Sequence, residues 1–104
     1  MRVISLNSGS NGNCTYVQAG NLQLLIDAGI SGNKAETRLA EHGHSIRDID
    51  ALLITHDHRD HAGCMGIYNR KFGLPVHVTD KTLNTARSHY RVGPLNDVQL
   101  YRTG

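Results

Sequence analysis

No stretch of this 104-residue chain approaches the roughly 20 consecutive apolar residues that cross a membrane. Its opening, MRVISLNSGSNG, also lacks the long apolar core of a secretory signal. Together these absences argue against a membrane protein and make the cytoplasm the expected compartment. Cysteine is scarce as well. Cys14 and Cys64 have neither C-x-x-C nor zinc-ribbon spacing, and a single pair is a poor disulfide framework, so both are expected as buried thiols. With no tryptophan and one phenylalanine the aromatic content is low, and the length has room for a single core. Charge of one sign is lacking too: eleven Lys and Arg against nine Asp and Glu give +2, too small an excess to imply nucleic acid by itself. The balance is uneven, however. Residues 1–69 hold five basic and seven acidic side chains and residues 70–104 six and two, which permits an anionic substrate near the C-terminal part.

What the chain does contain is glycine, which separates short periodic runs. Val3, Ile4 and Leu6 read as a first strand, Cys14 to Gln18 as a second and Leu22 to Ile26 as a third, with Ala19-Gly20-Asn21 turning the last two into a hairpin. Ser31 is a plausible N-cap for a helix whose stripe is Ala35, Leu39 and His42 and whose end is Gly43. The continuous run Ala51-Leu52-Leu53-Ile54 has the pattern of a strand buried on both faces. A helix over Cys64 to Phe72, a strand over Val76 to Val78, a helix capped by Asp80 and carrying Leu83, Ala86 and Tyr90, and a strand over Val98 to Tyr101 complete an alternating α/β pattern.

The chemistry is concentrated in Thr55-His56-Asp57-His58-Arg59-Asp60-His61, where three imidazoles and two carboxylates follow directly on an apolar strand. In extended backbone His56 and His58 project to one side and suit one metal ion. A turn into helix near Asp60 swings Asp60 and His61 toward a second position. Two divalent ions about 3.5–4 Å apart can hold a bridging hydroxide for hydrolysis. A solvated, histidine-rich loop is the competing explanation, and the density of the H-x-H-x-D-H pattern after a buried strand favours metal.

This motif resembles the signature of the metallo-β-lactamase superfamily of dinuclear metal hydrolases. The resemblance extends upstream to Ser8-Gly9-Ser10-Asn11-Gly12-Asn13-Cys14 and to Leu25-Ile26-Asp27-Ala28-Gly29, which are similar to the opening strands of a bacterial phosphodiesterase or nuclease-like branch, and it spans residues 2 to about 101. It implies an N-terminal half of an αββα sandwich, a mixed sheet with flanking helices, so that residues 1–104 read as one partial domain truncated at the C-terminus. It implies that His56 and His58 ligate one ion and Asp60 and His61 the other, with Asp60 also orienting the attacking water. Two divalent ions, zinc or else manganese or iron, are the implied cofactors. The further ligands such proteins use would lie downstream, so an isolated chain is expected to bind metal weakly. His61 favours a phosphodiester substrate in nucleic acid or a nucleotide over a β-lactam. A thioester hydrolase, or a non-catalytic module needing a partner chain, is the alternative, and uncovered apolar faces make a homo-oligomer an expectation.

Two further features lie outside the motif. Asp27 ends an apolar strand, where its carboxylate can accept the remaining ring N–H of a ligating histidine. Ser8, Ser10, Asn11 and Asn13 are a possible phosphate loop, although a hairpin loop explains them equally and the P-loop lysine is missing. His42, His44, His77 and His89 lack motif support and read as surface or edge residues, and Lys81, Arg87 and Arg91 as a solvated helix face.

Overall fold

The computed structural model describes residues 1–9, 12–56 and 58–101, with Arg59 and Asp60 described by their backbone alone. Three strands come first: β1 (Arg2–Asn7), β2 (Cys14–Ala19) and β3 (Leu22–Ile26), an antiparallel meander with a register irregularity between Ser5 and Asn7. Then β4 (Ala51–Leu53), β5 (Val76–Val78) and β6 (Val98–Leu100) add in sequence order, each parallel to its predecessor, giving a six-stranded mixed sheet. The crossovers carry α1 (Gly32–Glu41) with a short 3-10 turn (Ile46–Asp48), then α2 (Arg59–Ala62) and α3 (Met65–Phe72), then α4 (Asp80–His89). Right-handed crossovers that step one way along a sheet place their helices on the same face. Accordingly, a Cβ added at Gly32 of α1 would meet Phe72 and Ile67 of α3.

Local chemistry sets these boundaries. Ser31 has extended backbone and accepts from the Lys34 N–H at 3.2 Å, which starts α1, and Ala35 and Leu39 form its buried stripe. His42, expected on that stripe, is instead the exposed C-cap, because Gly43 at φ 80° ends the helix there. α4 is capped by Thr79 and not by Asp80: Thr79 is extended and accepts from the Thr82 N–H at 3.2 Å, while Asp80 stands in the first turn, where a carboxylate complements the helix's positive end. Arg91, expected on this helix, lies beyond its end.

Alternation along the strands defines the core. Cys14, Tyr16, Leu25, Leu52, Ile54, Val76 and Val78 are buried toward the helices, and burying a side chain such as Leu25 contributes about 1.5–3 kcal/mol. The opposite face is more open. β4 was expected to be buried on both faces, yet Leu53 is only half-buried, since no described layer packs on that side. There Leu22, Leu24, Asp50, Ala51, Leu53 and His77 line an apolar groove of about 390 Å³. Among the described residues no helix is long and apolar enough to cross a membrane.

Candidate metal centre

The sheet brings Asp27 and the histidine motif together because β3 and β4 are parallel neighbours, so their carboxyl ends open side by side. Open α/β sheets place ligands at such ends. Asp27 follows β3 immediately, is 5% exposed and has φ 70°, a left-handed conformation uncommon for a residue with a side chain. Its surroundings hold it there. The Asp27 N–H donates to the Leu53 carbonyl at 2.7 Å, Ala28 N–H to His61 at 2.6 Å, Gly29 N–H to Asn13 at 2.9 Å, and Cys64 N–H to Ala28 at 2.9 Å. Glycine is required at position 12, where a Cβ would stand 2.3 Å from the Gly29 carbonyl oxygen.

The Asp27 carboxylate collects three donors. Oδ1 accepts from the Thr55 N–H at 2.7 Å, and Oδ2 accepts from the Thr55 hydroxyl at 2.6 Å and from His61 Nδ1 at 2.7 Å. Thr55 Oγ1 in turn lies 2.7 Å from His56 Nδ1. The His56 and His61 rings are 4.4 Å apart between centroids, tilted by 43°. One donor atom from each of Asp27, His56 and His61 falls within 4.8 Å of the others, a spacing that fits an ion. Within this trio the two imidazoles are the better metal donors, because both Asp27 oxygens are engaged by Thr55 and His61. Imidazole with carboxylate suits zinc, manganese or iron.

The motif residues are placed as follows. His56 and His61, which the resemblance implies on neighbouring ions, lie close together. His58 is exposed and outside the trio; its carbonyl accepts from the His61 and Ala62 N–H groups at 2.9 and 2.8 Å, which starts α2 and turns His61 back toward Asp27. Asp60 lies in α2, and its side chain, like Asp57, is outside the described residues. Of the possible phosphate loop, Ser10 and Asn11 are also outside. Ser8 is exposed in the connection from β1 to β2. Asn13 exchanges hydrogen bonds with the Gly9 backbone at 3.2 and 3.3 Å and sets its amide nitrogen 3.4 Å from His61 Nε2.

Three contributions went unread in the sequence: the Thr55 hydroxyl, the Asn13 contact to His61, and Tyr101, whose hydroxyl donates to the Ile54 carbonyl at 2.8 Å just before the motif. A hydroxyl residue directly ahead of the first histidine was the available signal. His77 and His89 are not members of the trio, and His44 is half-buried and stacked 4.5 Å from Tyr16. Cys14 is fully buried and burial pushes its thiol up to about 12, while Cys64 is half-buried. Beside the site, Gly29, Gly63, Cys64, His89, Tyr90 and Arg91 line a cleft of about 470 Å³.

A model of the metallo-beta-lactamase superfamily matches residues 7–100, and the chain belongs to that superfamily. Among curated proteins it is 38% identical over 96 residues to exodeoxyribonuclease WalJ of Streptococcus pneumoniae, covering 92% of this chain and 36% of that protein. It is 42% identical over 79 residues to exodeoxyribonuclease YycJ of Bacillus anthracis, covering 76% of this chain and 30% of that one. The chain thus spans about a third of the length of these relatives. Among solved structures, Rm3 metallo-beta-lactamase superimposes with a TM-score of 0.77 at 23% identity, over 98% of this chain and 43% of that one, a likeness of fold.

Proposed function

We propose that this chain carries part of the metal centre of a hydrolase that cleaves phosphodiester bonds in nucleic acid. The observation that carries the reading is the convergence of His56 and His61 on a shared point, braced by Asp27, at the carboxyl ends of parallel strands. In this reading His56, His58, Asp60 and His61 hold one or two divalent ions, and Asp60 positions the water that attacks. Ions held there supply Lewis acidity and lower the pKa of water. The chain's own contribution is orientation: Asp27 fixes the His61 ring, and α2 returns it to the site. Kinship with two exodeoxyribonucleases supports a DNA substrate. The adjacent cleft supports an anionic one, since Arg91 brings positive charge and Tyr90 an aromatic ring, the groups that receive phosphates and bases. The reading includes self-association through the open sheet face around Leu22 and Leu53, with a second copy as partner.

The test is release of nucleotides from end-labelled single-stranded DNA with zinc or manganese, comparing the natural protein with Asp60→Ala and His61→Ala. Metal-dependent release lost in both variants is expected. Release that survives Asp60→Ala removes that residue from the reaction. No release by the natural protein, with thioester cleavage instead or with metal bound and no cleavage, replaces the nuclease reading by a thioester hydrolase or a non-catalytic metal-binding module.

A further inference from the structure

The Thr55 hydroxyl has one proton and two partners, which makes it a directional element. Three donors converge on the two Asp27 oxygens: the Thr55 N–H, the Thr55 hydroxyl and His61 Nδ1. A carboxylate only accepts. The hydroxyl proton is therefore committed to Asp27 Oδ2 at 2.6 Å, and toward His56 Nδ1, 2.7 Å away, the Thr55 oxygen has a lone pair to offer and nothing to donate. His56 Nδ1 must then carry the ring proton, which leaves Nε2 as the lone-pair nitrogen. His61 is set the same way by direct contact with Asp27 Oδ2, and the Asn13 amide nitrogen 3.4 Å from His61 Nε2 suits a lone pair there.

We propose that Thr55 is a positioning residue that relays the Asp27 charge to His56, so that one buried carboxylate fixes the metal-binding tautomer of two imidazoles. The proposal rests on the metal-centre reading for its purpose, but the proton arrangement is a property of the chain alone. A ring held with Nδ1 protonated does not have to shift its proton before it ligates through Nε2, and loss of such an outer hydrogen bond typically weakens metal binding about 10–100-fold. The alternative role for Thr55 is purely structural, through its backbone N–H on Asp27 Oδ1, and a side-chain substitution keeps that bond.

The experiment uses the full chain with 15N-labelled histidine, metal-free, at a pH where the imidazoles are neutral, in three forms: natural, Thr55→Val and Thr55→Ser. Valine keeps the branched shape and removes the hydroxyl; serine restores it. Nitrogen–carbon-bound-proton correlation spectra assign the tautomer of each ring, and competition with a chromogenic chelator gives zinc affinity. Expected are an Nδ1–H tautomer for His56 in the natural chain, its loss in Thr55→Val with His61 unchanged, and a matching 10–100-fold loss of zinc affinity, all recovered in Thr55→Ser. An Nε2–H tautomer of His56 in the natural chain, or an unchanged His56 in Thr55→Val, overturns the relay. Zinc taken up by none of the three forms overturns the metal-centre reading and leaves the tautomer result to decide the relay separately. A Thr55→Val chain whose amide spectrum shows loss of folding transfers the decision to the natural chain and Thr55→Ser, where the tautomer of His56 must be Nδ1–H in both.

Discussion

Replacing Asp27 by Asn changes one atom at the centre of the network. Asparagine keeps an oxygen to accept the Thr55 N–H, but its amide nitrogen takes the place of Oδ2, where the Thr55 hydroxyl and His61 Nδ1 both donate. Two hydrogen bonds to a charged acceptor are lost, each contributing about 1.5–3 kcal/mol, in a side chain 7% exposed. Part of the cost is recovered, since asparagine tolerates φ 70° better than most residues. The net expectation is a loss of about 3 kcal/mol, or roughly 12–24 °C in Tm for a chain of this size. His61 must also turn its proton to Nε2 so that Nδ1 can accept from the new amide, which predicts a loss of zinc affinity of about 10–100-fold. Thermal unfolding by circular dichroism and chelator competition measure the two effects. A variant that melts within 3 °C of the natural chain and binds zinc equally well refutes the reasoning, because the carboxylate would then be neither bracing the site nor setting His61.

Other expectations follow from particular residues. Asn69, 4% exposed, donates to the Leu74 and Asn96 carbonyls and accepts from the Asn96 N–H, clamping α3 to the segment before β6; Asn69→Ala should cost about 2–4 kcal/mol in urea unfolding. Burial raises the Cys14 thiol from 9.0 to about 12, so the unfolded chain ionises first and stability falls as pH rises from about 9 toward 12. The natural chain should therefore lose up to about 4 kcal/mol relative to Cys14→Ala over that window, and at pH 8 alkylation, read by mass spectrometry, should modify Cys64 well ahead of Cys14. The open groove predicts a solution mass above that of a monomer by light scattering, reduced toward monomer in Leu53→Lys.

Strand identities and the alternation of sheet and helix were legible because apolar runs and glycines mark them locally. The three-residue register of Leu24 to Ile26 against Ala51 to Leu53 was not, since parallel pairing joins residues far apart in sequence. For the same reason the sequence located the metal motif and named Asp27 as a histidine partner without specifying which histidine. The resemblance implied His56 and His58 on one ion and Asp60 and His61 on another; what the local pattern did not show is that His58 starts α2 through its carbonyl and so returns His61 to within reach of His56 and Asp27. The Thr79 cap was missed in favour of Asp80 because both residue types cap helices and only backbone conformation separates them.

In the proposed reading His56 and His61 belong to one metal centre. Zinc titration of the natural chain by calorimetry, alongside His56→Ala, His61→Ala and the double variant, tests it most directly. Uptake by the natural chain, weakening in each single variant, and a double variant little worse than either single one are expected. Equal zinc uptake by the double variant and the natural chain contradicts it.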